Sequence, residues 1–286
     1  MSSRLNDLLL HARDLFRGEV NPVASREEMI ETGKRILANL ISVNLAKNRK
    51  ARYKKGISDW TFTQSYAGIP LKTYNRITYG NLKLKGILVW DLPAVTTCPS
   101  CADCKAACYA VKAQILRPLT MAFRWTNLLL YLLDPPSLKS MILTQILKRN
   151  RGYTSLRIHA SGDFFDQEYV DWWVDIVSDL NRLRPGMTIY AYSKAQGQVD
   201  LSGLVRQGVN ILSSILPDGT LNFTRSKLPK GRQEASEMAR QANEAGAGAI
   251  ICPATLRKGF KCGEKRWGGS GCVHCLHHRY AVFVRH

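Results

Sequence analysis

Cys98, Cys101, Cys104 and Cys108 lie within eleven residues at spacings x2, x2 and x3. Cys252, Cys262, Cys272 and Cys275 form a second group near the C-terminus, at x9, x9 and x2, and no cysteine lies outside the two groups. Thiols packed this densely point to metal ligation, because zinc and iron–sulfur clusters both take thiolates. The first spacing is that of the bacterial ferredoxin run, in which three close cysteines wrap one [4Fe–4S] cluster and the fourth reaches another. Tyr109 stands where that run carries proline. The expected cofactor is therefore an iron–sulfur cluster, [4Fe–4S], with zinc as the alternative. The second group stays open between the two metals: Cys262, Cys272 and Cys275 precede His277 and His278 and also suit a tetrahedral structural zinc site. The bland reading of those histidines is a surface facing phosphates beside Arg279 and Arg285.

Three further residues have types and positions that suit catalysis. His159 and Asp163 lie in Leu156-Arg-Ile-His-Ala-Ser-Gly-Asp163, and Lys194 follows Tyr190-Ala-Tyr-Ser193. Asp163 suits a general base, a ligand to a cofactor amine, or the N-cap of the helix that begins shortly after it; the cap is the default. His159 is either a satisfied core histidine or the partner of Asp163. Lys194 suits a phosphate or carboxylate ligand, or only solvates the rim.

Lysine and arginine total 41 against 22 acids, a net charge of +19. Such a surplus favours polyanions, whose condensed counterions are released on binding. Lys47, Arg49, Lys50, Arg52, Lys54 and Lys55 cluster around Tyr53, with Trp60 just beyond. Basic residues interleaved with aromatics suit backbone contacts plus base stacking, so nucleic acid, DNA or RNA, is the expected partner. A solvated helix end or an acidic protein are the alternatives. No apolar run reaches the roughly 18–20 residues of a membrane span, and the N-terminus lacks a signal-peptide pattern. A soluble, cytoplasmic protein is expected, a setting in which structural disulfides are rare. No Gly-x-Ser-x-Gly elbow, P-loop or His-Glu-x-x-His appears, which disfavours the hydrolases built on them.

These residues need elements to hold them. Residues 1–50 read as two helices broken near Gly18–Pro22. Ser25 and Glu28 form a capping box for the second, whose Met29, Ile36, Leu37, Leu40 and Ile41 recur at helical spacing. Short extended runs follow, ending in Gly86–Leu92 before the first cysteines. Residues 109–133 read as one long helix stopped by Asp134-Pro135-Pro136, and Ser137–Lys148 as another. Strands at 156–160, 188–192, 209–213 and 249–252 then alternate with helices at 166–183, 201–207 and 233–245. Such alternation implies parallel strands joined by right-handed crossovers. The expected fold is α/β: a partial (β/α) barrel over residues 61–286 with two Cys-rich metal-binding loops, preceded by a helical basic N-terminal extension, residues 1–60. Chemistry in such folds sits at the carboxyl ends of the strands, where His159, Asp163, Lys194 and Cys252 fall.

At Cys104-x3-Cys108-Tyr109-Ala110 and Arg157-Ile-His-Ala-Ser-Gly-Asp-Phe-Phe165 the chain resembles the phage gene product 88 family, over roughly residues 65–280. That resemblance implies a protein of phages and mobile elements, and names no reaction. A more distant likeness is to radical S-adenosylmethionine enzymes, whose cluster loop also ends in Cys-Tyr. Their second strand carries a Gly-Gly-Glu-like turn, here matched by Ser161-Gly162-Asp163. Those enzymes use a Cys-x3-Cys-x2-Cys triplet, from which this spacing departs, and that sets S-adenosylmethionine below the cluster as an expected cofactor. The leading expectation is an iron–sulfur enzyme acting on nucleic acid, with base modification as its reaction class. A non-catalytic nucleic-acid-binding protein with structural metal sites is the first alternative. The second is a base-exchange enzyme similar to tRNA-guanine transglycosylases, on the strength of Cys272-x2-Cys275.

Overall fold

Ser25 and Glu28 close the expected capping box: Ser25 N donates to Glu28 Oε2 at 2.9 Å and Glu28 N donates to Ser25 Oγ at 3.2 Å. This satisfies two of the amides that a helix start leaves orphaned. The computed structural model describes residues 25–51, 64–66, 69–71, 77–79, 87–99, 108–148, 152–195, 197–213, 233, 236, 237, 240, 249–251 and 280–282. The expected first helix lies outside these residues. Helix α1 runs Arg26–Ala51 and buries Met29, Ile36 and Leu37. Strands β1 (Gln64–Tyr66) and β2 (Ile69–Leu71) pair as a small antiparallel hairpin.

The main sheet is built from β3 (Thr78–Tyr79), β4 (Ile87–Trp90), β5 (Ser155–Ile158), β6 (Thr188–Ser193), β7 (Asn210–Ser213), β8 (Ala249–Ile251) and β9 (Tyr280–Val282). Its order is β3-β4-β5-β6-β7-β9-β8; β3 runs antiparallel to β4 and every other pairing is parallel. The α/β class with parallel strands therefore stands. Among the described residues the sheet does not close, because its end strands β3 and β8 do not pair with each other. Strand β9 was not anticipated, and it separates two strands expected to be successive.

Between β4 and β5 lie α2 (Tyr109–Leu116), α3 (Pro118–Leu133) and α4 (Pro135–Lys148). The expected single helix over 109–133 is thus two, broken at Arg117. Pro118 has no N–H to give the preceding turn, and takes the first position of α3, where none is needed. Asp134 caps α4 by accepting from Ser137 N at 3.1 Å, so that helix starts two residues earlier than expected. Helix α5 (Gln167–Leu183) joins β5 to β6, and α6 (Ser202–Arg206) joins β6 to β7. Residues 233, 236, 237 and 240 are helical, within the stretch expected to be a helix.

Sequential order from β4 to β7, with right-handed crossovers, puts the crossover helices on one face. There α1 packs on α3, α3 on α4, α4 on α5 and α5 on α6. Leu88, Trp90, Leu156, Ile158, Ile189 and Ala191 point from the sheet into this layer. Side chains alternate along a strand, so the other face carries Val89, Arg157, Tyr190 and Asn210 in one row across β4–β7.

Gly33 marks where α1 meets α3: a Cβ there would lie 2.9 Å from Leu129 Cδ2. Replacing a helix-interior glycine by alanine ordinarily stabilises by about 1 kcal/mol. Here Gly33→Ala must push two packed helices apart, and a loss of about 1–2 kcal/mol in denaturant unfolding is expected. A gain would show that α1 does not bear on α3 at this point.

Candidate functional site

The carboxyl ends of β4, β5 and β6 are joined by a backbone that leaves the regular ladder at one residue. His159 N donates to Trp90 O at 3.0 Å. In an unbroken parallel ladder Leu92 N would then donate to the His159 carbonyl. It donates instead to Ser161 O at 3.0 Å. The reason is the backbone of His159, whose φ of 63° lies in the left-handed region that side chains disfavour. That twist turns its carbonyl away from β4, and Arg157 Nε takes it at 3.1 Å. The result is a bulge that re-aims everything after it.

Beyond the bulge the β5 loop lies flat on the loop that leads from β4 to Cys98. Asp163 N donates to Thr97 O at 2.8 Å. Gly162, φ 81°, is the point of closest approach: a Cβ there would sit 2.6 Å from Thr97 Oγ1 and 2.7 Å from Leu92 Cβ. Only glycine satisfies both the dihedral and the space. The β4 loop has its own left-handed residue, Val95, with φ 73°. It is braced by Thr97 Oγ1 on Pro93 O at 2.7 Å, and by Ala94 N on Gln114 Oε1 of α2 at 2.7 Å.

Asp163 is buried, and its carboxylate gathers three donors. Oδ1 accepts from Phe164 N and from Ser193 Oγ, both at 2.8 Å, and Oδ2 accepts from Lys194 N at 2.8 Å. Asp163 therefore clamps the ends of β5 and β6 together. The default expectation that it caps α5 is corrected: the cap is Asp166, which accepts from Tyr169 N at 2.7 Å. Burial pushes the Asp163 carboxyl up to about 6, against the pull of Lys194, Ser193 and Phe164. Asp163 meets Lys194 through the lysine backbone, and the Lys194 side chain is half-buried.

His159 is buried and held from below. Tyr169 Oη lies 2.8 Å from His159 Nε2 and accepts from Trp90 Nε1 at 2.8 Å. The hydroxyl thus bridges Trp90 and the His159 ring. Burial, helped by Arg157, lowers the ring to about 3, so it is neutral. Nδ1 has no hydrogen-bond partner. No direct bond joins His159 to Asp163 among the described contacts; the two share a loop rather than a proton.

Two functional candidates escaped the sequence reading. Asp91, the residue after β4, is buried and accepts from Ala160 N at 2.9 Å, with Arg124 Nη2 at 3.5 Å. Burial raises its carboxyl above the ordinary value despite Arg124 and Arg157. Arg157 is half-buried, with its guanidinium 4.9 Å over the Tyr192 ring. A charge inside an apolar strand was the available signal for it.

Of the thiols, Cys98 and Cys108 fall in the described residues, and neither is in a disulfide. Both are half-buried and lean on one small cluster, Ala94, Val95, Ala110 and Val111. Cys108 immediately precedes α2, whose Tyr109 Oη donates to Ala160 O of the β5 loop. Cys101, Cys104, Cys252, Cys262, Cys272 and Cys275 lie outside the described residues. Among the described residues no group of three metal-binding side chains comes together. The side chains of Lys47, Arg49 and Lys50, on α1, and all of Arg52, Tyr53, Lys54 and Lys55 also lie outside them. No described helix is long and apolar enough to cross a membrane.

A family model described as gene product 88 matches residues 60–275. No curated protein and no solved structure matches the chain. The likeness to radical S-adenosylmethionine enzymes finds no support in these comparisons.

The two buried titrating groups pull stability in opposite directions. The unfolded Asp163 carboxyl, at its ordinary 3.8, has lost its proton where the folded one still holds it, so its contribution to stability falls as pH rises from about 4 to about 6. His159 does the reverse, because below 6.5 the unfolded ring takes a proton that the folded ring refuses. The difference between wild type and Asp163→Asn isolates the first effect. Unfolding measured across this range should show the wild type losing up to about 3 kcal/mol relative to the variant as pH rises. A constant difference would mean that burial does not hold the Asp163 proton.

Proposed function

The chain belongs to the gene product 88 family, and from that premise we propose that it is an iron–sulfur protein on a partial (β/α) barrel that acts on nucleic acid. The observation that carries this reading is the placement of Cys98 and Cys108 against one apolar cluster, beside the turn that holds His159 and Asp163. The donor chemistry fits: two unbridged, half-buried thiols on a shared lobe, in a run whose spacing is that of ferredoxin-type cluster loops. Cys101 and Cys104 would complete the ligand set. Such a cluster would supply electrons to a bound substrate.

The chain's own residues would then position the substrate. Asp163 fixes the Lys194 backbone at the rim, and His159, neutral and braced by Tyr169, shapes the β5 turn as a positioning residue. The net charge of +19 and the Lys47–Lys55 stretch support a polyanionic partner.

Anaerobic purification is expected to give a coloured protein with iron and acid-labile sulfide in stoichiometric amounts. Cys98→Ala and Cys108→Ala should each lose both while remaining folded by circular dichroism. A colourless, zinc-only wild type would favour the structural-metal alternative and overturn the cluster. Binding to single-stranded oligonucleotides should weaken steeply with salt, and less steeply once Lys47, Arg49 and Lys50 are replaced by alanine. A salt-independent interaction, or none, would remove nucleic acid as the partner.

A further inference from the structure

Arg157 projects from the middle of β5 onto the face opposite the crossover helices, in register with Val89, Tyr190 and Asn210. Its guanidinium is fixed at two points. Nε donates to the His159 carbonyl that the left-handed turn delivers, and the plane lies over the Tyr192 ring. Among the described residues Nη1 and Nη2 make no hydrogen bond or ion pair, and Arg157 is half-buried. The acid whose charge it feels, Asp91, is occupied by Ala160 N and Arg124. Ordering this long side chain costs entropy, yet its most directional donors are left unmet. A planar fork held by stacking and by one N–H, with its outer nitrogens unmet among the described residues, matches an oxyanion that offers two oxygens in one plane.

We propose that Arg157 is the anchor for a nucleotide phosphate, held beside Tyr192 near the carboxyl end of β5. The choice of phosphate over carboxylate rests on the nucleic-acid reading above and on the +19 charge, which draws polyanions to the whole surface. The fork's geometry stands without that reading.

The test is calorimetric titration of the anaerobically purified full chain with the four nucleoside 5′-monophosphates, the four nucleosides and succinate. At least one monophosphate should bind, with its nucleoside roughly tenfold or more weaker, the loss expected for one charge-assisted bidentate contact. Arg157→Lys keeps the charge but loses the fork and the stack, and should weaken the monophosphate by a similar factor. Failure of every monophosphate to bind, equal binding of nucleoside and monophosphate, stronger binding of succinate, or undiminished binding by a folded Arg157→Lys protein would overturn the proposal. The nucleoside comparison uses wild type alone and holds even if the variant does not fold. Iron and sulfide measured on the same preparations keep the two readings apart. Phosphate-dependent binding without a cluster sinks only the iron–sulfur reading, and a cluster without it sinks only this one.

Discussion

The left-handed backbone of His159 is the constraint on which the rest of this edge depends. A side-chain-bearing residue in that region costs on the order of 1–2 kcal/mol, so its neighbours must impose it. They do so from every side. Its N–H is held by Trp90 O, its ring by Tyr169, and its carbonyl by Arg157. Release any one of these and the ladder between β4 and β5 is free to continue in ordinary register. Leu92 would then pair with His159, and the residues from Ala160 to Asp163 would shift along β4. The close seating of Gly162 against Leu92 and Thr97 would be lost with them.

What makes the strain tolerable is the core beneath it. Tyr169 of α5 stacks with Phe165 at 4.9 Å and with Trp172 at 5.8 Å, and Tyr131 of α3 meets it edge-on at 4.8 Å. Trp90 at the end of β4 packs against Trp173 at 5.8 Å and aims its N–H at the same Tyr169 hydroxyl. Aromatic packing of this density fixes the hydroxyl in place, and the hydroxyl fixes the histidine. Tertiary packing thus reaches the edge of the sheet through a single polar atom.

Local features were legible in the sequence, and long-range ones were not. The Ser25–Glu28 box and the placement of Met29, Ile36 and Leu37 on one face of α1 follow from local helical spacing, and the fold reproduces them. Pro118 was equally legible as a break and was read through. Asp163 and Asp166 are both aspartates ahead of a helix; which one caps depends on how many residues the β5 loop uses to reach Thr97, a tertiary quantity. Strand β9 has three residues and no local signature, and its place between β7 and β8 is set by pairing across the chain. Cys98 and Cys108 both lean on the lobe of Ala94, Val95, Ala110 and Val111, while the left-handed turn that carries that lobe's partner loop is invisible without the fold.

Two arginines show how structure separates support from recognition. Arg124 is sealed in the core, with Nη1 on Ala110 O and Gln114 Oε1 and Nη2 on Asp91, so its terminal nitrogens tie α2, α3 and the end of β4 together. Removing it would leave Asp91 buried with less to balance its charge, as a structural ion pair predicts. Arg157 is built the opposite way: its stem is held, its plane is stacked, and among the described residues its outer nitrogens meet no partner. At Arg124, by contrast, both terminal nitrogens are met within the fold. The His159 turn, which costs energy to make, presents a carbonyl to the inner nitrogen of Arg157. Strain of this kind persists where it prepares a contact that the folded chain cannot make with itself.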